Sequence, residues 1–120
     1  MKILIAEDDE MMLRTMEFKL KREGFDVIAC ANGEKAINKI ITESPDVIIT
    51  DIMMPIITGL DIVRKVKSEL NLNIPIIVLS AVGLEKTVLE AFELGADDFI
   101  TKPFSPNELI VRVRRLMLKV

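Results

Sequence analysis

Four short apolar runs in this chain end in polar side chains that a buried strand does not need. Ile3-Leu4-Ile5-Ala6 ends in Glu7-Asp8-Asp9, and Val47-Ile48-Ile49-Thr50 ends in Asp51. Ile76-Ile77-Val78-Leu79 ends in Ser80, and Phe99-Ile100-Thr101 ends in Lys102. In an open α/β sheet, ligands bind just outside the carboxyl ends of the strands. Glu7, Asp8 and Asp51 gathered there concentrate negative charge, which either raises their pKa values or calls for a cation. An all-oxygen donor set with room for water suits Mg2+, and Mn2+ can take its place. Lys102 and Ser80 add an ammonium and a hydroxyl donor on the other side. A phosphoryl group would find one oxygen on the metal, one on Lys102 and one on Ser80. Asp51 would then act as the nucleophile, giving an aspartyl phosphate.

Each residue alone has an ordinary explanation. Asp9 is best read as a helix cap. A lone Asp after a strand is usually a turn residue, and Ser is common at strand ends. A structural need for polar tips would not select acids, a hydroxyl and an ammonium together at four strand ends. That joint occurrence carries the chemical reading.

The elements that must position these groups follow from the hydrophobic pattern. Strands are predicted over Lys2 to Ala6, Asp26 to Cys30, Asp46 to Thr50, Ile76 to Leu79 and Asp98 to Thr101. Between them the period lengthens to that of a helix. Met12, Leu13, Met16 and Leu20 form a stripe on a first helix from Glu10 to Glu23, ended by Gly24; it is core rather than a cofactor contact. Ala36, Ile37, Ile40 and Ile41 face inward on a second helix from Asn32-Gly33 to about Glu43, stopped by Ser44-Pro45. Thr58 and Asp61 make a capping box for a third, carrying Leu60, Ile62, Val63, Val66 and Leu70 and broken at Asn71 to Asn73. The fourth, about Leu84 to Leu94, has a modest stripe of Leu84, Val88, Ala91 and Phe92 and carries Thr87 and Val88. A loosely held element beside a site is a candidate mover. Ser105-Pro106-Asn107-Glu108 starts the fifth, with Leu109, Ile110, Val113, Leu116, Met117 and Val120 inward and Val111 and Leu118 on another face.

Five βα units with helix-length crossovers predict a doubly wound parallel five-stranded sheet, an α/β (βα)5 three-layer sandwich of the flavodoxin-like kind. The second strand has no polar tip, which fits the order 2-1-3-4-5 with that strand away from the switch point.

Bulk composition narrows the function. At 120 residues the chain is expected to be one domain over 1–120, and 50% hydrophobic content with 4% aromatic suits a buried parallel sheet. A net charge of -3 argues against direct nucleic-acid binding. The chain has no histidine, which removes Ser-His-Asp and Cys-His nucleophile systems and leaves no standard zinc set. The lone Cys30 rules out an internal disulfide, fits a reducing compartment and reads as a packed core thiol. Charges begin at Lys2, unlike a secretory leader, and no apolar run approaches the ~18 residues of a membrane span. A cytoplasmic location with no membrane contact is expected.

The pattern resembles the receiver domain of two-component response regulators from Lys2 to about Lys119. The matching pieces are Ile3 to Asp9, Asp51-Ile52-Met53-Met54-Pro55, Leu79-Ser80-Ala81, Gly95-Ala96-Asp97-Asp98-Phe99 and Thr101-Lys102-Pro103-Phe104. The resemblance implies a switch rather than an enzyme, one that assists its own phosphorylation and dephosphorylation. It implies that Asp51 is the phosphoacceptor, that Asp8, Asp51 and the Met53 carbonyl ligate magnesium, and that Glu7 takes the outer acid position through water. Lys102 and Ser80 would contact the phosphoryl group, and the Lys102-Pro103 bond would be cis. The donor would be a phosphohistidine on a sensor histidine kinase. Phosphorylation would draw Ser80 inward and let the ring of Phe99 fill the vacated space, changing the face made by the fourth helix, fifth strand and fifth helix. Phe99 lacks a hydroxyl, so an outward ring gains no hydrogen bond and the inward state is expected to be favoured more than with Tyr.

Ile56 and Thr58 stand where many relatives have Gly and Asp. Met53 and Val82, two residues beyond Asp51 and Ser80, are apolar and position no water, so slow hydrolysis is expected. The ending Phe104 to Leu109 most resembles receivers attached to winged-helix transcription factors, which implies an effector domain beyond this chain and control of transcription. Asp97, Asp98, Glu108 and Arg112 match the charges of a shared homodimer face, and Val88 replaces a basic residue there. A stand-alone receiver acting in motility or a phosphorelay is the alternative. An FMN binder would need a Ser/Thr/Gly loop where Glu7-Asp8-Asp9 stands, and a haloacid-dehalogenase-type phosphatase would need an Asp at Met53. A receiver-like module that never takes phosphate would normally have lost Asp51, Lys102 or the acid pair, and all are present.

Overall fold

The inner strands of this protein are apolar on both faces, so each must be covered on both sides, and the computed structural model, which describes residues 1–118, does this with helices. Strands β1 (Lys2–Ala6), β2 (Asp26–Cys30), β3 (Val47–Asp51), β4 (Ile76–Ser80) and β5 (Asp98–Thr101) form one parallel sheet in the order β2-β1-β3-β4-β5. The register pairs Ile3 with Val27 and Val47, Asp51 with Leu79, and Ser80 with Thr101. The expected α/β architecture and strand order are therefore observed. Asp51 and Ser80 are themselves the last residues of β3 and β4.

Alternation along each strand divides the core in two. Leu4, Ala6, Ile48, Ile76 and Val78 face a layer built on Ala36, Ile40, Ile62, Val63, Val66 and Ala91. Ile3, Ile5, Ile49, Ile77, Leu79 and Ile100 face Leu13, Met16, Leu20, Leu109, Val113 and Leu116. The first layer belongs to α2 (Gly33–Glu43), α3 (Gly59–Arg64) and α4 (Glu85–Leu94), the second to α1 (Glu10–Arg22) and α5 (Pro106–Met117). Cys30 is buried, as expected of a core thiol.

Helix starts follow the cap chemistry. Asp9, Asn32 and Ser105 accept from the backbone N–H groups of Met12, Lys35 and Glu108 at 3.1, 2.8 and 3.1 Å. Thr58 and Asp61 form the reciprocal capping box. The start of α4 differs: Leu84 at its N-cap makes no side-chain cap bond.

Several details depart from the sequence pattern. Ile41 and Phe92 face inward by periodicity, yet both are exposed, because Ile40 and Ala91 beside them take the positions on the sheet. The third helix does not simply stop; it widens into a π-helical turn over Lys65–Glu69, closed by bonds from Leu70 N to Lys65 O and Leu72 N to Val66 O, both 2.8 Å. The inward position assigned to Val120, like the resemblance at Lys119, lies outside the described residues. Among the described residues, no helix is long and apolar enough to cross a membrane.

Candidate functional site

The carboxyl ends of β1, β3, β4 and β5 converge, as the sheet order requires. One carboxylate oxygen from each of Glu7, Asp8 and Asp51 lies within 4.8 Å of the others. Glu7 has no solvent exposure and Asp51 is only 7% exposed, whereas Asp8 is open. Lys102, reached after β5, donates to Glu7 Oε1 at 2.8 Å and to Asp51 Oδ2 at 3.1 Å. Glu7 and Lys102 are 95 residues apart in sequence, so this pair closes the site across most of the chain.

The backbone holds these tips in place. Lys102 N–H donates to the Ser80 carbonyl at 2.7 Å, tying the loop after β5 to β4. Ile52 N–H donates to the Leu79 carbonyl at 2.9 Å, and Gly59 N–H to the Ile52 carbonyl at 3.0 Å. A Cβ at Gly59 would strike the Asp51 carbonyl oxygen and come within 2.7 Å of Ile52 Cα, so only glycine lets α3 start this close to the end of β3. The Lys102-Pro103 peptide is cis.

Burial pushes the Glu7 carboxyl up to about 7, reinforced by its hydrogen bond with Asp51 and offset in part by the Lys102 ammonium. Burial alone would lower the Lys102 pKa, but its bonds to Glu7 and the charge of Asp51 outweigh that and hold it above its ordinary value. Burial likewise raises the Cys30 thiol, which makes it unreactive.

With all four groups ionised, three carboxylates face one ammonium, an excess of negative charge that two buried acids cannot shed to water. The donors are all oxygen, two are buried, and Asp8 lies open at the side where a ligand would enter. Such a set fits a small hard divalent cation. Met53 N–H donates to Asp51 Oδ1 at 3.4 Å, bringing the Met53 backbone back to that carboxylate.

Ser80 is buried at the tip of β4 and lines a cavity of about 420 Å³ shared with Ala81, Val82, Val88, Phe92 and Phe99. Phe99 is 37% exposed, and its ring meets that of Phe92 edge-on, with centroids 5.9 Å apart and planes at 90°. Phe92 has no counterpart among the sequence-derived site residues, because its spacing alone assigns it to the core. The charges of the expected dimer face are engaged within the chain. Asp98 accepts from Arg112 and Arg115, each at 2.9 Å, and Arg112 also reaches Glu108 at 3.5 Å. Asp97 accepts from Ile76 N–H at 2.8 Å and pairs with Lys67 at 3.2 Å, at the opposite end of β4 from Ser80.

A family model for the response regulator receiver domain matches residues 3–114. The alkaline phosphatase synthesis transcriptional regulatory protein PhoP of Bacillus subtilis (strain 168) is 39% identical over 116 residues, which cover 97% of this chain and 48% of that protein. The structure of the Francisella response regulator 1452 receiver domain superposes with a TM-score of 0.88 at 36% identity, covering 96% of this chain and 94% of that one. Response regulator DrrB, a Thermotoga maritima OmpR/PhoB homolog, superposes with a TM-score of 0.85 at 34% identity, covering 97% and 52%. The chain thus spans about half the length of the curated relative it matches.

Proposed function

The chain belongs to the response regulator receiver domain family, and on that premise we propose that it is a phosphorylation-controlled signalling switch with Asp51 as phosphoacceptor. The observation that carries the reading is the single Lys102 ammonium shared between Glu7 and Asp51 beneath an open Asp8. Asp8, Asp51 and the Met53 carbonyl would hold Mg2+, or Mn2+ in its place, with Glu7 acting through water. When bound, the ion supplies positive charge against the oxygens of the transferred group.

The chain's own residues do the rest. The Asp51 carboxylate forms the bond to phosphorus as the donor's bond to phosphorus breaks. Lys102 moves from Asp51 to a phosphoryl oxygen, exchanging one anionic partner for another. Ser80 donates its hydroxyl to a second oxygen. The donor is a phosphohistidine on a sensor histidine kinase, which complements a chain that has no histidine. Drawing Ser80 toward the phosphoryl group opens room in the shared cavity for the Phe99 ring, and the outer face of α4, β5 and α5 changes with it.

Similarity to PhoP, of which this chain covers 48%, supports transcription as the output, exerted through a separate effector domain; a cytoplasmic location belongs to the same proposal. A homodimer through α4, β5 and α5 would have to use Asp98 and Arg112 while they remain paired within one chain. The deciding experiment is incubation with acetyl phosphate and Mg2+ followed by intact-mass spectrometry. A single phosphoryl adduct is expected on the folded protein and none on Asp51→Asn; an adduct that persists in Asp51→Asn would overturn the assignment.

A further inference from the structure

Phe99 poses a physical question that the phosphoryl site does not answer. It alternates along β5 with Asp98 and Ile100, which are buried, and so stands with Thr101 on the α4 side of the sheet. The neighbouring cavity of about 420 Å³ is lined mostly by apolar side chains, among them Val82, Val88 and Leu89. An apolar ring gains by leaving water for such a space. A tyrosine could hold itself outward by a hydroxyl hydrogen bond, but Phe99 has none to make. The ring nevertheless stays 37% exposed.

Its aromatic neighbour is Phe92, with the rings perpendicular and their centroids 5.9 Å apart. Phe92 sits in the well-anchored half of α4. Ala91 beside it is fully buried, Gly95 closes the helix in the left-handed conformation, and Ala96 N–H bonds back to the Ala91 carbonyl at 2.9 Å. The other end of α4, nearer Ser80, follows Gly83 at φ +94, and Leu84 at its N-cap makes no side-chain cap bond. The two halves of the helix therefore differ: the end nearer Ser80 lacks a side-chain cap, while the other, closed by Gly95, carries the Phe92 ring next to buried Ala91.

We propose that Phe92 is a positioning residue of the switch, a latch whose perpendicular ring contact holds Phe99 outward until phosphorylation makes the inward position worth more. This rests on the switch reading above and adds the element that sets its threshold. An edge-to-face pair shifts a two-state equilibrium by about two- to tenfold. Loss of the pair is therefore expected to lower by that factor the concentration of an aspartyl-phosphate mimic needed to drive the switch.

The test uses protein labelled with 4-fluorophenylalanine, with Phe99 assigned by its absence in Phe99→Leu. In the ligand-free state, Phe92→Leu is expected to reduce the water-deuterium solvent shift of the Phe99 fluorine, because the inward population of the ring grows by about two- to tenfold relative to the outward one. A titration with beryllofluoride in excess Mg2+ is expected to reach its midpoint at about two- to tenfold lower concentration. Phe92→Tyr, which keeps the ring edge, is expected to match the unsubstituted protein in both readouts. If Phe92→Leu leaves the fluorine signal and the midpoint unchanged, or Phe92→Tyr behaves like Phe92→Leu, Phe92 is not the latch. If beryllofluoride fails to bind even the unsubstituted protein, the phosphoacceptor reading falls, while the ligand-free fluorine signal still decides the position of the ring.

Discussion

Glu7 and Lys102 meet at 2.8 Å, with the Glu7 side chain wholly buried and the lysine also 3.1 Å from Asp51. One ammonium thus serves two acids at the carboxyl ends of central strands, and burial pushes the less accessible of the two, Glu7, up to about 7.

The Glu7 carboxyl is pushed up to about 7 from an ordinary 4.5, mainly by burial. A carboxyl raised on folding binds its proton more tightly in the folded state, so its contribution to stability is complete below pH 4.5 and lost as pH rises through about 7. With EDTA present, urea melts at pH 5, 6, 7 and 8 are expected to show stability falling by at most about 3 kcal/mol from this group. Glu7→Gln is expected to flatten that slope, and equal slopes in the two proteins would refute the assignment. With Mg2+ added, the loss on raising pH is expected to shrink, since the cation favours the ionised acid.

Gly59→Ala places a Cβ against the Asp51 carbonyl and Ile52 Cα, both of them backbone atoms that cannot rotate away. A loss of about 2–4 kcal/mol is expected, together with weaker phosphorylation of Asp51, because relief requires moving β3, which ends in Asp51. Gly24→Ala is the control: it meets open space, but at φ +95 it is expected to cost only about 1–2 kcal/mol and to leave phosphorylation unchanged. Thermal melts and acetyl phosphate labelling read the two effects separately.

Ile56 is 98% exposed and holds a left-handed backbone at φ 67, a conformation that a β-branched residue resists. No packing returns the strain, so Ile56→Gly is expected to stabilise the protein by about 0.5–1 kcal/mol, a sign opposite to that of most glycine substitutions. A urea midpoint that falls in Ile56→Gly would show that the loop is not strained.

Met53 and Val82 are both exposed beside the site, and neither side chain can hold a water by hydrogen bonding. The phosphoryl group is expected to outlast that of a Met53→Asn, Val82→Glu double variant by several-fold, because polar groups there can orient the attacking water. Decay of the adduct by intact-mass spectrometry after removal of acetyl phosphate measures this, and equal lifetimes would contradict it.

The strand tips are readable in the sequence because each combines an apolar run with a side chain of distinctive chemistry. Glu7, Asp51, Ser80 and Lys102 need only the sheet order to be brought together. Helix faces are less legible. Ile40 and Ile41, or Ala91 and Phe92, are equally apolar to a periodicity argument, and only the lie of the helix on the sheet decides which is covered. The strain at Ile56 is hidden for a related reason, since the residue type gives no sign of a left-handed turn. Asp97 and Asp98 are adjacent and chemically alike, yet strand alternation sends one to the Ile76 N–H and the other to two arginines.

The acid pocket takes one residue from just past the first strand and its counter-charge from just past the last, 95 positions downstream. A nascent polypeptide emerging from the ribosome cannot assemble that pair before its fifth strand is made and docked. A chain cut short before β5 therefore lacks the ammonium that Glu7 and Asp51 share.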